Sequence, residues 1–456
     1  MHIHILGICG TFMGGIAALA RAAGVRVTGC DANVYPPMST QLRELGVEIH
    51  EGFDAAQLDP EPDWVVVGNV MSRGNEVVEA MLDRGIPHTS GPRWLADNVL
   101  RDRHVLAVAG THGKTTTASM LAWILHDAGH APGFLIGGIP TNFGVSASFG
   151  ESRYFVVEAD EYDTAFFDKR AKFVHYGPRT LVLNNLEFDH ADIYKDIDAI
   201  LWQFHQLLRT VPGSGRIIRN APDENLDALI NMGCWTPLDT FGTGEKADWT
   251  ARFMDAAERR ISIEDPQGNA GETRWKLGGR HNLENALAAV AAAQSAGVTL
   301  QQSLAALSRF EGVKRRMERT ATVSDIAIYD DFAHHPTAIR RTIAAMKRRY
   351  PAQRIVVAIE PRSNTMKLGV HNDALAESLS EADIVWMYRP ADMGKEFESS
   401  LAPLGDRLRM FSDYDMLVSD MSGKVLSGDQ VIFMSNGGFG SARQTLTAVL
   451  QRTRSS

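Results

Sequence analysis

One stretch constrains this chain most. The apolar run Val105-Leu106-Ala107-Val108-Ala109 is followed by Gly110-Thr111-His112-Gly113-Lys114-Thr115-Thr116-Thr117 and then by the helix-forming Ala118 to Leu125. A strand that ends in a glycine loop and re-enters the fold as a helix leaves unpaired N–H groups at the helix start, where phosphate binds well. Gly110, Thr111, His112 and Gly113 turn backbone amides inward, Lys114 reaches terminal phosphates, and the Thr115 hydroxyl, followed by Thr116, ligates Mg²⁺. The usual phosphate loop has glycine where this chain has Val108, so the motif is a shortened variant. A plain capped turn would account for Thr115 but leave Lys114 without a use.

At 456 residues the chain is long enough for about three domains. A net charge of −9 with no long basic block argues against nucleic acid as a partner, yet allows a local cationic pocket for a small anion. Three cysteines, Cys9, Cys30 and Cys234, show no metal spacing and are too few for a disulfide framework. The N-terminus enters a strand directly, and no apolar run approaches membrane-spanning length. A cytoplasmic protein with no membrane partner is expected.

Strand-like and helix-like runs alternate along the whole length. Ile3–Leu6, Gly15–Ala20, Val25–Gly29, Leu42–Leu45 and Trp64–Val67 form a first parallel α/β unit. The polar segment from Asp97 to His104 is a candidate linker, after which Val105 opens a second unit. Strands at Tyr154–Glu158 and Thr180–Asn184 and an alanine-rich helix from Asn285 to Ala296 carry it onward. The basic Lys314-Arg315-Arg316 marks a second hinge before Ile326–Tyr329, Ile355–Ile359, Ile384–Met387 and Val431–Met434. The expected architecture is three α/β domains: a Rossmann-like domain over 1–102, a P-loop ATPase-like domain over 103–312 and a second Rossmann-like domain over 313–456.

Each unit carries polar residues at strand ends. Gly7 to Gly10, then Thr11, lie between the first strand and helix, and Asp31 ends the second strand where a ribose-binding acid would stand. The dinucleotide fingerprint read from Gly7 would need glycine at Cys9 and Phe12, so a nucleotide-sugar diphosphate fits as well as NAD, and a simple tight turn remains an alternative. Glu158 to Asp163 and Asn184 to His190 end two further strands on the edge where the phosphate loop opens. Glu158 is the natural Mg²⁺ ligand and His190 a further one. Arg280-His281-Asn282-Leu283-Glu284-Asn285 opens the alanine-rich helix, with Asn282 readable as an ordinary N-cap. Asp330 to Pro336, with His334 and His335, ends the first strand of the third unit as a metal pair, a proton-transfer site or a helix entry.

Taken in order, these six segments resemble the Mur ligase family, ATP-dependent enzymes that join amino acids or peptides to UDP-N-acetylmuramic acid derivatives. The resemblance covers the whole chain. It implies ATP and Mg²⁺ as cofactors, with Lys114, Glu158 and His190 catalytic, Thr115, Glu158 and His190 holding metal, and Gly110 to Thr116 on the phosphates. It implies further that His281, Asn282 and Asn285 lie near adenine, Asp331 near ribose, and Gly7, Gly10, Thr11, Asp31 and Asn142 near the UDP-sugar. Glu360-Pro361-Arg362-Ser363-Asn364-Thr365-Met366-Lys367 differs from the Q-P-H-R-Y-S-R type stretch of the alanine-adding branch. Arg362, Asn364, Thr365 and Lys367 suit a peptide with several carboxylates, so the likeness is to the branch that joins the murein tripeptide L-alanyl-γ-D-glutamyl-meso-diaminopimelate to UDP-N-acetylmuramate. Addition of L-alanine to the same sugar is the alternative. One departure is His205, which stands fifteen residues after His190, where some members carry a carbamylated lysine. Sequence leaves the oligomeric state and the amine's general base open.

Overall fold

The computed structural model describes residues 1–34, 38–244, 246–362, 366, 372–389, 393 and 395–454. The first sheet is all parallel, in the order Glu48–Glu51, Arg26–Asp31, His2–Leu6, Trp64–Val67, His88–Ser90. Its first strand is central, so the Gly7 loop opens at the point where strand order reverses, the usual ligand crevice of such sheets. The large second sheet has a parallel centre in which His104–Ala109 lies between Thr180–Leu183 and Tyr154–Glu158. It continues through Arg216–Asn220 and Leu238–Gly242 into an antiparallel extension ending at Ala270–Arg274. The third sheet pairs Glu318–Val323 antiparallel to Ile326–Asp331 and is parallel thereafter. Near-continuous Val, Ile and Leu in the central strands follow from burial on both faces.

Both joints are packed in this structure. The segment from Asp97 is helical as far as Leu100, and Val99 and Leu100 are buried in an apolar cluster that also holds Ile3, Trp94 and Phe155. Low apolar content hid this, because the two apolar side chains present both face inward. The first domain is thereby packed on the second. Gly15 lies so close to the central domain that a Cβ there would sit 2.3 Å from Leu135 Cδ1. The basic stretch near 314 is also pinned: Lys314 N donates to Ile139 O at 3.0 Å and Gly312 O accepts from Thr141 N at 3.0 Å.

Burial sets an acid sensitivity. His4 is fully buried in the first sheet and shares the Thr28 hydroxyl, at 2.8 Å, with His2. Burial, with His50 and His2 nearby, pushes its pKa down to about 3. The unfolded chain takes up this proton below about pH 6.5 while the native state does not, so stability falls as pH drops through the window from 6.5 to 3. Lowering pH from 6.5 to 5 is expected to cost about 2 kcal/mol through this group alone. Urea unfolding at pH 7.5 and 5.0 tests it: His4→Met should show a flatter pH slope than the parent. Equal slopes would remove His4 as the cause.

Candidate active site

The phosphate loop sits at the carboxyl end of His104–Ala109 and runs into the helix Lys114–Asp127. Gly113 is the residue before that helix, at φ 81°, and an added Cβ would lie 2.3 Å from Asn285 Oδ1, so only glycine fits. The loop is braced from the neighbouring strand end. Thr111 N donates to Asn185 O at 3.0 Å, and His112 N donates to Asn185 Oδ1 at 2.7 Å. Asn184 Nδ2 donates to Thr117 Oγ1 at 2.9 Å and to Asn285 Oδ1 at 3.4 Å. Together these fix loop curvature in advance of any ligand.

Two clusters form around Lys114 and Thr115. Thr115 Oγ1 donates to Glu158 Oε1 at 2.9 Å, and Gly137 N donates to Glu158 Oε2 at 2.6 Å. Adjacent oxygens around an octahedral Mg²⁺ at 2.0–2.1 Å are about 2.9 Å apart, so this hard-oxygen pair fits that ion. Lys114 Nζ donates to Glu161 Oε2 at 2.7 Å, while His190 Nε2 lies 3.0 Å from Glu161 Oε1. His190 therefore groups with Glu161 and Lys114 rather than with Glu158. Burial opposes charge on Lys114 and on His190, but Glu161 beside both holds each above its ordinary pKa. Glu158 is instead raised by burial, in spite of Gly137 N–H and Lys114.

The other wall comes from the third domain. A cavity of about 500 Å³ is lined by the phosphate loop, Glu158 and His190 and, opposite, by Arg316, Asp331, His334 and Arg362. Arg316 Nη2 donates to Thr115 Oγ1 at 3.2 Å and its guanidinium stacks 4.6 Å from the Phe332 ring centroid. Asp331 is buried and accepts from Thr342 Oγ1 at 3.1 Å and Met317 N at 3.3 Å. His334 Nδ1 lies 3.0 Å from Phe332 O, a carbonyl that can only accept. Nδ1 therefore carries the proton and Nε2 the lone pair. Burial lowers this imidazole's pKa and keeps it neutral.

The remaining expected site residues fall in different places. His281 and Asn282 line the cavity, but the N-cap of their helix is Gly279, so Asn282 lies one turn in and bonds Gly278 O at 2.8 Å. Asn285 lines the same cavity one turn further on and packs against the phosphate loop at Gly113. In the first domain Gly7 N donates to Cys30 O, Gly10 caps the helix that begins at Thr11, and Asp31 accepts from Cys9 N at 2.9 Å and Asn33 N at 3.0 Å. Asp31 thus shapes the loop from below. From this domain Phe12 reaches the cavity lining. Asn142 spends its amide on the chain near the second joint, donating to Arg309 O at 3.1 Å and accepting from Glu311 N at 2.8 Å, and does not line the cavity. Asn364, Thr365 and Lys367 lie outside the described residues. His205 packs against Trp235, with ring centroids 5.9 Å apart, and is absent from the cavity lining.

Glu161, which pairs with Lys114 and His190, and Arg316, which lines the cavity, are residues that sequence reasoning passed over. Glu161 was hidden among the four acids of Glu158 to Asp163, any of whose carboxylates could point inward. Arg316 carried a signal, three basic residues at a domain joint, but its reach to Thr115 depends on how the domains meet.

Comparison with known proteins finds a family match in each of the three domains. Residues 108–293 match the Mur ligase middle domain, residues 2–103 the domain described as Mur ligase family, catalytic domain, and residues 315–437 that described as Mur ligase, glutamate ligase domain. The chain is 52% identical over 449 residues to the Escherichia coli K12 UDP-N-acetylmuramate–L-alanyl-γ-D-glutamyl-meso-2,6-diaminoheptandioate ligase, covering 98% of this chain and 97% of that protein. It is 30% identical over 462 residues to the UDP-N-acetylmuramate–L-alanine ligase of Desulforapulum autotrophicum, covering 98% of each. A crystal structure of a murein peptide ligase from Psychrobacter arcticus 273-4 superposes with TM-score 0.78 at 47% identity, covering 99% of this chain and 98% of that one. One of a UDP-N-acetylmuramate–alanine ligase from Thermotoga maritima gives 0.81 at 25% identity, covering 100% of both. Overall shape does not separate the two branches, whereas sequence identity does. Among the described residues, no helix is long and apolar enough to cross a membrane.

Proposed function

Because the chain belongs to the Mur ligase family of ATP-dependent ligases, we propose that it joins L-alanyl-γ-D-glutamyl-meso-diaminopimelate to UDP-N-acetylmuramate, in the recycling of cell-wall murein peptide. A carboxylate is a poor acceptor for an amine, so the lactyl carboxylate of the sugar first takes the γ-phosphoryl group of ATP and becomes an acyl phosphate. The alanyl amine of the peptide then attacks the acyl carbon, and inorganic phosphate leaves. The observation that carries the chemistry is the meeting of Lys114, Thr115 and Glu158 with Arg316 and Asp331 across one cavity. Lys114 and Arg316 supply fixed positive charge where phosphoryl oxygens gather charge, the main protein contribution to such a transfer. Thr115 and Glu158 are suited to hold Mg²⁺, with His190 toward a second ion; bound there, Mg²⁺ neutralises phosphate charge.

In this reading His281, Asn282 and Asp331 face the nucleoside, the Gly7 loop with Gly10 and Thr11 faces the UDP diphosphate, and Arg362 faces a peptide carboxylate. His334, with its lone pair on Nε2, is the candidate to take the amine proton. The reaction belongs in the cytoplasm, where ATP is found. Choice of the tripeptide over L-alanine is supported by 52% against 30% identity over nearly the same length. The test is phosphate release from ATP and Mg²⁺ with UDP-N-acetylmuramate, offering tripeptide or free L-alanine. Release with tripeptide alone is the expected result, and release with L-alanine alone would move the protein to the other branch.

A further inference from the structure

The helix Pro336–Arg349 of the third domain is held at both ends by carboxylates of the second. At its start, Thr337 Oγ1 donates to Glu187 Oε2 at 2.8 Å, and the N-cap His335 has Nδ1 3.8 Å from the same oxygen. At its end, Arg348 Nε donates to Glu258 Oε1 at 2.7 Å and Arg349 Nη1 to Lys276 O at 2.7 Å. Between these ends, Ala338, Arg341 and Thr342 of the same helix line the cavity.

Each carboxylate is also built into the nucleotide-facing side of its own domain. Glu187 N donates to Thr111 Oγ1 at 2.8 Å, Thr111 Oγ1 donates back to Glu187 O at 3.2 Å, and the carboxylate lies 3.5 Å from His112 Nε2. Glu187 is thus part of the phosphate loop's support. Glu258, with a side chain 5% exposed, accepts from Gly279 N at 2.5 Å, the N-cap of the helix that presents His281 and Asn282. One pin is tied to the phosphate end of the cavity and the other to its opposite end.

We propose that Glu187 and Glu258 are positioning residues that couple closure of the third domain to nucleotide occupancy, through the two ends of helix Pro336–Arg349. The proposal rests on the ligase reading for its kinetic arm only. At 1.5 Å per residue, Thr337 and Arg348 are about 16 Å apart, so a 1 Å slip at one pin tilts the helix by about 4°. Such a tilt moves Thr342, and with it the Asp331 carboxylate that Thr342 bonds. His112, Glu187 and His335 also have the composition of a zinc site, with ligand atoms within 4.8 Å of one another. Nδ1 of His335, however, accepts the Thr337 N–H that starts the helix, at 3.3 Å, so a metal on that nitrogen would break the cap. With Nδ1 an acceptor, His335 gives Glu187 no proton, and the pin at this end is the Thr337 hydroxyl, with His112 beside the same carboxylate.

The experiment uses the full chain with Glu187→Gln, Thr337→Val, Glu258→Gln and Arg348→Met, singly and as the pairs 187/337 and 258/348. Small-angle scattering with UDP-N-acetylmuramate and a non-hydrolysable ATP analogue reads closure. Turnover reads kcat and the KM of the amine substrate. Unchanged UDP-sugar binding certifies the fold. Expected are weakened analogue-driven compaction, a roughly tenfold lower kcat in each single variant, and no further loss in either double, as for one shared contact. Wild-type compaction and kcat in all four, or losses that multiply within each pair, would overturn the proposal. The Thr337 and Arg348 variants remove each contact from the third domain's side and keep the test open should a buried carboxamide misfold. If wild-type protein compacts yet turns over no amine, the ligase reading fails while the scattering arm still decides this one.

Discussion

Lys114→Met is expected to lower ATP-dependent phosphate release by about a thousandfold or more, with UDP-sugar binding intact. The side chain keeps its apolar stem, so the helix start it occupies is preserved, while the ammonium between Glu161 and the loop carbonyl Thr111 O is removed. What remains near the transferring phosphoryl group is a set of acids, half-buried Glu158 and Asp160 and buried Glu161, with Arg316 on the far side. Phosphoryl transfer asks little of a protein beyond position and charge, so loss of the central cation removes most of that stabilisation. Affinity for ATP should fall too, because the emptied position faces triphosphate with net negative charge. Activity within tenfold of the parent would show that Lys114 is structural.

The second large effect is expected at Glu161, the residue that links Lys114 to His190. Glu161 is 2% exposed, and its backbone carbonyl also accepts from the Tyr194 hydroxyl, so it is held from both sides. Glu161→Ala strands the Lys114 ammonium without its nearest counter-charge. Breaking a buried pair from one side costs about 3–5 kcal/mol, and about 3 is expected here because Asp160 and Glu158 stay close. Lys114 would then swing toward those acids, away from the phosphate site. A displacement of about 1 Å at a catalytic group costs about a hundredfold in rate. Urea unfolding and phosphate release on Glu161→Ala, with Glu161→Asp as a shorter carboxylate, separate the two consequences. Asp should recover more of the stability than of kcat, and an alanine variant with parental kcat would show that Lys114 is positioned by something else.

Much of this protein could be read along the chain, because its signals are local. A parallel strand buried on both faces must be a short run of Val, Ile and Leu, and a loop that holds phosphate must be glycine followed by lysine and threonine. Such constraints act over fewer than ten residues, so Val105 to Thr117, Glu158 at a strand end and Asp330-Asp331 at another show themselves without a fold. The order of these segments is what carried the family resemblance and with it three α/β domains. Single side chains inside a polar run were not legible in this way. Which acid of Glu158 to Asp163 meets Lys114 depends on how the chain leaves the sheet, and the structure gives Glu158 to Thr115 and Glu161 to Lys114.

Contacts across domains were least legible of all. The sequence by itself determined the strands, the phosphate loop, the division into α/β units and the chemistry they can support. Only the tertiary structure decided that Asp97 to Leu100 is packed helix, that Asn142 braces the second joint, that Arg316 reaches Thr115, and that Glu187 and Glu258 grip one helix from either end. The reason is separation. Hydrophobic period and turn chemistry are set by neighbours within a few residues, whereas Glu187 and Thr337 are 150 positions apart and meet only where the second domain packs against the third.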